Sequence, residues 1–247
     1  MAVSEKSFSE SKQPTFEAMS TPSNNITYDL FPKIDLRRKN IDGKRHYLVE
    51  GADAPYVSMT TALGILSKNG IRKWRNRVGA QEANKITHQS ASIGTHVHNN
   101  VERWLLGDDN WHGDSPLVNQ LTGTIVEHLR KNITVVHGIE HRMYSDKLRA
   151  AGTSDLIAEY NGQRAIIDFK TSRKIKDEKH ITSYYLQGAG YAQMALERHD
   201  VIIPNIVIIM VSLENELKVF ERPVSQWSTK ISNFFNHFHA GRLLPAN

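Results

Sequence analysis

The sequence predicts an α/β fold, a mixed central β-sheet flanked by helices, with an N-terminal helical region ahead of the core. Three observations carry this. The apolar periodicity changes from helical to alternating at about residue 133. From there the elements run three strands, helix, two strands, helix, an order suited to a sheet with helical cover. The most apolar run, Ile206 to Val211, has the length of a buried strand and falls far short of a membrane span.

Taking the elements in order, residues 1–26 are polar, with no apolar core for secretion, and read as a disordered tail or a short docking segment. Residues 34–49 place Asp42-Gly43 between alternating runs and predict a two-residue hairpin. Ser58, Thr60 and Thr61 offer caps for a short helix over 62–67. Residues 71–106 carry helical patterning, expected as two helices broken around Ser90–Gly94 and stopped by Gly107. Ser115-Pro116 opens a helix over 117–131, with proline in its first turn. Strands are expected over 133–144, 152–160 and 164–171, the last two joined by Asn161-Gly162. A helix over 178–198, strands over 206–213 and 216–222 around Glu214-Asn215, and a helix over 225–240 complete the chain. The organisation is thus a tail (1–26), a hairpin and helical region (27–132) and a core (133–247).

Composition narrows the chemistry. The 247 residues include no cysteine, which removes disulfides, thiolate metal sites, iron–sulfur clusters and cysteine nucleophiles together. Any metal must bind through oxygen or imidazole. The 31 Lys+Arg against 26 Asp+Glu leave a net charge of +5, a mild bias toward polyanions. No stretch approaches a membrane span, and a cytoplasmic location is the expectation.

The most informative stretch is the hairpin around Asn161-Gly162. A two-residue turn there pairs Tyr160 with Gln163, and the same register sets Asp155 opposite Asp168. Opposed residues have Cβ atoms about 4.5–5.5 Å apart, where like charges repel unless something binds between them. Lys170 shares the face of Asp168, whereas Ile167 and Phe169 point the other way. Strands this apolar bury the acidic pair, and a divalent cation relieves the cost. Carboxylate oxygens suit Mg²⁺ or Mn²⁺.

Asp155 followed by Asp168-Phe169-Lys170 resembles the D…(D/E)-x-K signature of the PD-(D/E)XK nuclease superfamily, with Ser154 where the name has proline. Gly94-Thr-His-Val-His98 resembles the G-x-x-x-H motif of its RecB-like branch, and Gln187-Gly-Ala-Gly-Tyr191 resembles that branch's Q-x-x-x-Y motif. The branch includes mitochondrial genome maintenance exonucleases and many phage exonucleases, and the resemblance runs from about Tyr47 to Tyr191. It implies a restriction-endonuclease-like core in which His98, Asp155, Asp168 and the backbone carbonyl of Phe169 hold the metal. Lys170 would be the catalytic lysine, Glu140 the additional acidic residue, holding a second metal or its water, and Gln187 and Tyr191 would reach the DNA backbone and the site together from one helix face. His96 faces elsewhere and takes no such role. Many RecB-like nucleases carry a four-cysteine iron–sulfur cluster, which this chain cannot hold.

Basic clusters at 37–45, 68–77 and 173–179 offer phosphate contacts. Arg72, Lys73 and Arg75 surround Trp74, which fits either a stacking platform for single-stranded nucleic acid or a core anchor. Arg173 and Lys174 follow the catalytic strand directly. The functional expectation is a divalent-metal-dependent DNA exonuclease preferring single-stranded ends, in phage or cellular recombination, repair or degradation, with a recombination or single-strand-binding protein as a further partner. An endonuclease, the nuclease component of a recombination complex, or a non-catalytic DNA-binding protein on the same fold stand as alternatives.

Overall fold

The structure is a computed structural model describing residues 26–242. The segment read as a tail lies outside the described residues up to its last position, Ile26, which is buried. In chain order the elements are β1 (Thr27–Tyr28), β2 (Arg37–Ile41), β3 (Lys44–Leu48), β4 (Tyr56–Ser58), α1 (Met59–Leu63), α2 (Lys68–Val78) and α3 (Ala80–Leu105). Then come α4 (Pro116–Asn132), β5 (Ile133–Ser145), β6 (Ala150–Tyr160), β7 (Gln163–Ser172), α5 (Thr182–His199), β8 (Asn205–Ser212), β9 (Leu217–Pro223) and α6 (Ser228–His239).

Turn chemistry sets the hairpins. Asp42-Gly43 and Asn161-Gly162 all take positive φ, 50° and 72° in the first turn and 50° and 78° in the second, the conformation a two-residue hairpin requires. The predicted register follows: Tyr160 pairs with Gln163 and the ladder runs to Leu156 opposite Ile167. Ser115 caps α4 by accepting the Val118 amide, with Pro116 as first helical residue.

Nine strands join one mixed sheet among the described residues, along the path β2-β3-β4-β6-β7-β8-β9, with β5 pairing β6 on its other edge and β1 pairing β5. β6 therefore has three neighbours. Its Leu156–Tyr160 half pairs antiparallel with β7, while Ala150 and Ala151 pair parallel with β4 along the same edge. The short strands β1 and β4 are missing from the sequence reading, because two or three residues carry no period. The N-terminal hairpin thus extends the sheet of the core.

Alternation along the strands feeds two cores. Ile157, Ile166 and Ile208 pack toward α1, α5 and α6, whereas Leu156, Ile167, Phe169 and Ile209 pack toward α3 and α4. Glycines let α5 lie close: a Cβ at Gly188 would meet Ile206, and one at Gly190 would collide with Met59 of α1.

The expected break at Ser90–Gly94 is not where the helix divides. It divides at Gly79 (φ 87°), which only glycine adopts readily, and α3 runs unbroken to Leu105. Gly94 lies mid-helix for another reason: a Cβ there would stand 3.2 Å from Thr171 Oγ1 of β7. Its missing side chain brings α3 against β7.

Candidate active site

The β6–β7 ladder ends one pair before Asp155 and Asp168, so the two strands part where the carboxylates stand. Asp155 bridges the opening, its Oδ2 accepting the Phe169 amide at 2.9 Å in place of a backbone carbonyl. From α3, one turn beyond Gly94, His98 reaches into the fork. Its Nε2 lies 2.9 Å from the Phe169 carbonyl, which only accepts, so Nε2 carries the proton. Nδ1, the other ring nitrogen, faces Asp155 Oδ2 at 3.5 Å. The Phe169 carbonyl, expected as a metal ligand, accepts this bond and so also orients the imidazole, as an outer partner does for a ligating histidine.

The third member comes from β5. Ile139 pairs with Leu156 and His141 with Ser154, leaving Glu140 between them, opposite Asp155, with a left-handed φ of 42°. Such a φ is uncommon outside glycine, and it marks the point where β5 turns its side chain into the site. His98, Glu140 and Asp155 each offer a donor atom within 4.8 Å of the others. Burial, followed by the charges of Asp155 and Glu102, pushes the Glu140 carboxyl up to about 8, with Arg38 opposing. An imidazole nitrogen and two crowded carboxylates form a hard donor set short of positive charge, which fits a divalent cation.

Asp168 stands beside this trio rather than in it. It is 2% exposed, its Oδ1 has no hydrogen-bond partner, and Lys170 Nζ lies 2.5 Å from its Oδ2. Burial pushes its carboxyl up, against the pull of Lys170. For Lys170, burial acts to depress the ammonium, but Asp168 and Asp155 outweigh it and its pKa is raised. Lys170 therefore stays a cation at neutral pH. The orphaned Oδ1 is an acceptor left for a cation or a water, in keeping with the metal role expected of Asp168.

Gln187 and Tyr191 are brought to the site but not to its surface. They are 8% and 2% exposed, Gln187 Nε2 donates weakly to the Tyr191 hydroxyl at 3.4 Å, and the Tyr191 ring packs where a side chain at Gly152 would stand. They lie under Asp155 and Asp168, whose charges add to the burial that holds the Tyr191 phenol strongly raised. The expectation that they reach the DNA backbone is corrected by this burial; they form the floor that supports the carboxylates.

Arg72 and Lys73 are exposed on α2, and Trp74 is half-buried there; Arg75 Nη2 donates to Asn84 Oδ1 of α3 at 2.8 Å. Arg173 and Lys174 are exposed just past β7. Two features had no sequence signal. Tyr184 sits between two lysines, its ring centroid 5.0 Å from Lys170 Nζ and 5.2 Å from Lys176 Nζ, which also donates to its hydroxyl at 2.7 Å. A cleft of about 530 Å³, lined by Lys33, Asp35, Glu102, Glu140 and Arg142, opens beside the trio.

No protein-family profile matches the chain. Over 112 residues it is 30% identical to mitochondrial genome maintenance exonuclease 1 of Xenopus tropicalis, covering 43% of this chain and 32% of that protein. The chain thus spans about a third of the length of this curated relative. Among solved structures it is similar to a provisionally assigned exonuclease from Eubacterium rectale, with a TM-score of 0.40 and 13% identity over 63% of this chain and 70% of that one. A likeness of that size is no guide to function. The sequence similarity joins the chain distantly to an exonuclease.

Proposed function

We propose that this protein is a divalent-metal-dependent DNA exonuclease of the RecB-like PD-(D/E)XK type, hydrolysing phosphodiester bonds from single-stranded ends. The observation that carries this is the forked hairpin, which sets His98, Glu140 and Asp155 within 4.8 Å of one another beside the Asp168–Lys170 pair. The partial similarity to a mitochondrial genome maintenance exonuclease supports it.

His98 Nδ1, Glu140 and Asp155, with Asp168 alongside, would hold Mg²⁺ or Mn²⁺. When bound, the cation supplies Lewis acidity toward a phosphate and lowers the pKa of coordinated water. The chain's own groups do the rest. Lys170, kept protonated by its carboxylate neighbours, places a fixed positive charge where negative charge develops on the phosphoryl oxygens, and is ill suited to act as the base. The Phe169 amide and carbonyl lock Asp155 and His98 in orientation, so the site is assembled before substrate arrives. Roles in recombination, repair or degradation, a phage origin, a cytoplasmic location and a single-strand-binding partner belong to the same reading. No helix among the described residues is long and apolar enough to cross a membrane.

The test is degradation of linear and circular single-stranded DNA, labelled at either end, with Mg²⁺ or Mn²⁺. The reading requires loss of label from linear but not circular substrate, and no activity in Asp168→Asn or in EDTA. Cleavage of circles would make the enzyme an endonuclease; binding without cleavage under either metal would make the chain a DNA-binding protein.

A further inference from the structure

Helix α2 buries none of its eleven residues, although Ile71, Trp74 and Val78 recur on one face. Ile71 is 50% exposed. Trp74 and Val78 are only half-buried, so part of that apolar face is available to a ligand. Here the face forms one wall of a groove of about 730 Å³, lined by Gly70, Ile71, Trp74, Arg77, Lys176 and His180. The opposite wall is the segment that leaves the catalytic strand, so two stretches about a hundred residues apart in sequence meet there.

The groove is apolar and aromatic at its base and basic at its rim. No carboxylate lines it, and the acids of the neighbouring loop are engaged elsewhere: Asp177 faces Lys179 at 3.5 Å, and Glu178 pairs with Arg222 and accepts from Tyr185. Lys176 also lies near the candidate active site. One aromatic ring, Tyr184, separates its ammonium group from that of Lys170.

We infer that this groove binds an unpaired segment of single-stranded DNA, with a base stacked on Trp74 and the flanking phosphates held by Arg77, Lys176 and His180. The charge and the aromatic face together select this occupant, since single strands offer both phosphates and bare base faces and a duplex offers only phosphates. The inference deepens the proposed nuclease reading and shifts the DNA contacts on α2 from Arg72, Lys73 and Arg75 to the Ile71, Trp74, Arg77 face.

Binding is measured by fluorescence anisotropy of a labelled oligothymidylate in EDTA, so that no cleavage is needed. Trp74→Ala is expected to weaken binding roughly tenfold and Trp74→Phe much less, with duplex binding unchanged in both. Arg77→Ala should reduce the slope of log affinity against log salt by about 0.7, the release expected for one phosphate contact on a single strand. Arg130→Ala, which removes the same charge from α4, outside the groove, should leave the slope unchanged. Thermal unfolding of each variant separates lost binding from lost structure, and Trp74→Phe keeps the test open if Trp74→Ala does not fold. Single-strand affinity equal to wild type in both Trp74 variants overturns the inference and leaves the groove to a protein partner. Binding that depends on Trp74 in a protein that never cleaves DNA upholds the groove and defeats only the nuclease reading.

Discussion

Oδ2 of Asp155 accepts the backbone amide of Phe169 at 2.9 Å at the point where the strands of the β6–β7 hairpin separate. The same oxygen faces Nδ1 of His98 at 3.5 Å. One carboxylate therefore closes a backbone hydrogen bond and belongs to the proposed cation site, and the two roles are separable by substitution.

Asp155→Asn keeps an acceptor for Phe169 and removes the charge. It should leave stability within about 1 kcal/mol of wild type and abolish cleavage. Asp155→Ala leaves the amide unpaired as well and should cost about 1–3 kcal/mol. Urea unfolding compares the two, and equal loss in both would mean that the Phe169 bond contributes nothing.

Gly94 sets the approach of α3 to β7, and a Cβ there would lie 3.2 Å from Thr171 Oγ1. Gly94→Val should displace His98 and reduce cleavage by more than tenfold with a smaller loss of stability. Thr171→Ala in the same protein should restore part of the activity. A double-mutant cycle with no coupling would sink this account.

Asp168 and Lys170 form a shielded ion pair at 2.5 Å. Lys170→Met alone strands a buried carboxylate and should destabilise by about 3 kcal/mol or more. Adding Asp168→Asn should recover much of that, while both proteins stay inactive. Chemical unfolding of the three variants reads the difference.

Cation binding requires Glu140 to lose its proton, which burial and the neighbouring Asp155 and Glu102 hold on up to about pH 8 in the metal-free protein. The rise in melting temperature caused by Mn²⁺ should therefore grow as the pH is raised from 6 toward about 8, then level off. Glu140→Gln should show almost no rise. EDTA should return wild type to its metal-free melting temperature.

His141 lies 2.9 Å from His199, nitrogen to nitrogen, and burial, then His199 and Lys33, lowers its pKa to about 4 from an ordinary 6.5. The unfolded chain takes up a proton below 6.5 that the folded chain refuses until about 4. Stability should fall with pH across that window. His141→Leu should flatten the decline in urea midpoints measured from pH 7 to 4.5 with EDTA present.

The turn dipeptides and the alternation around them were enough to place β2–β3 and β6–β7 and their registers, because a type I′ turn and a period of two leave no freedom. Asp155, Asp168 and Lys170 were legible for that reason, and His98 through its glycine. Gln187 and Tyr191 were found by their spacing, but spacing carries no information on depth, and their burial comes from α5 sinking onto Gly152 and Ile206. Gly94 reads locally as a break because glycine is weighed by its backbone freedom, whereas its service is to Thr171 of β7, far along the chain.

The sequence by itself determined which residue types meet across the hairpin, since turn geometry and pleat act within a few residues. Only the tertiary structure decided that the hairpin forks after Leu156 and Ile167, that Glu140 completes the trio with His98 and Asp155, and that Asp168 turns to Lys170. Those outcomes depend on β4 taking over the edge of β6, on the left-handed turn of β5 at Glu140, and on α3 reaching β7 through Gly94. They are contacts between segments far apart in the chain, and no local pattern encodes them.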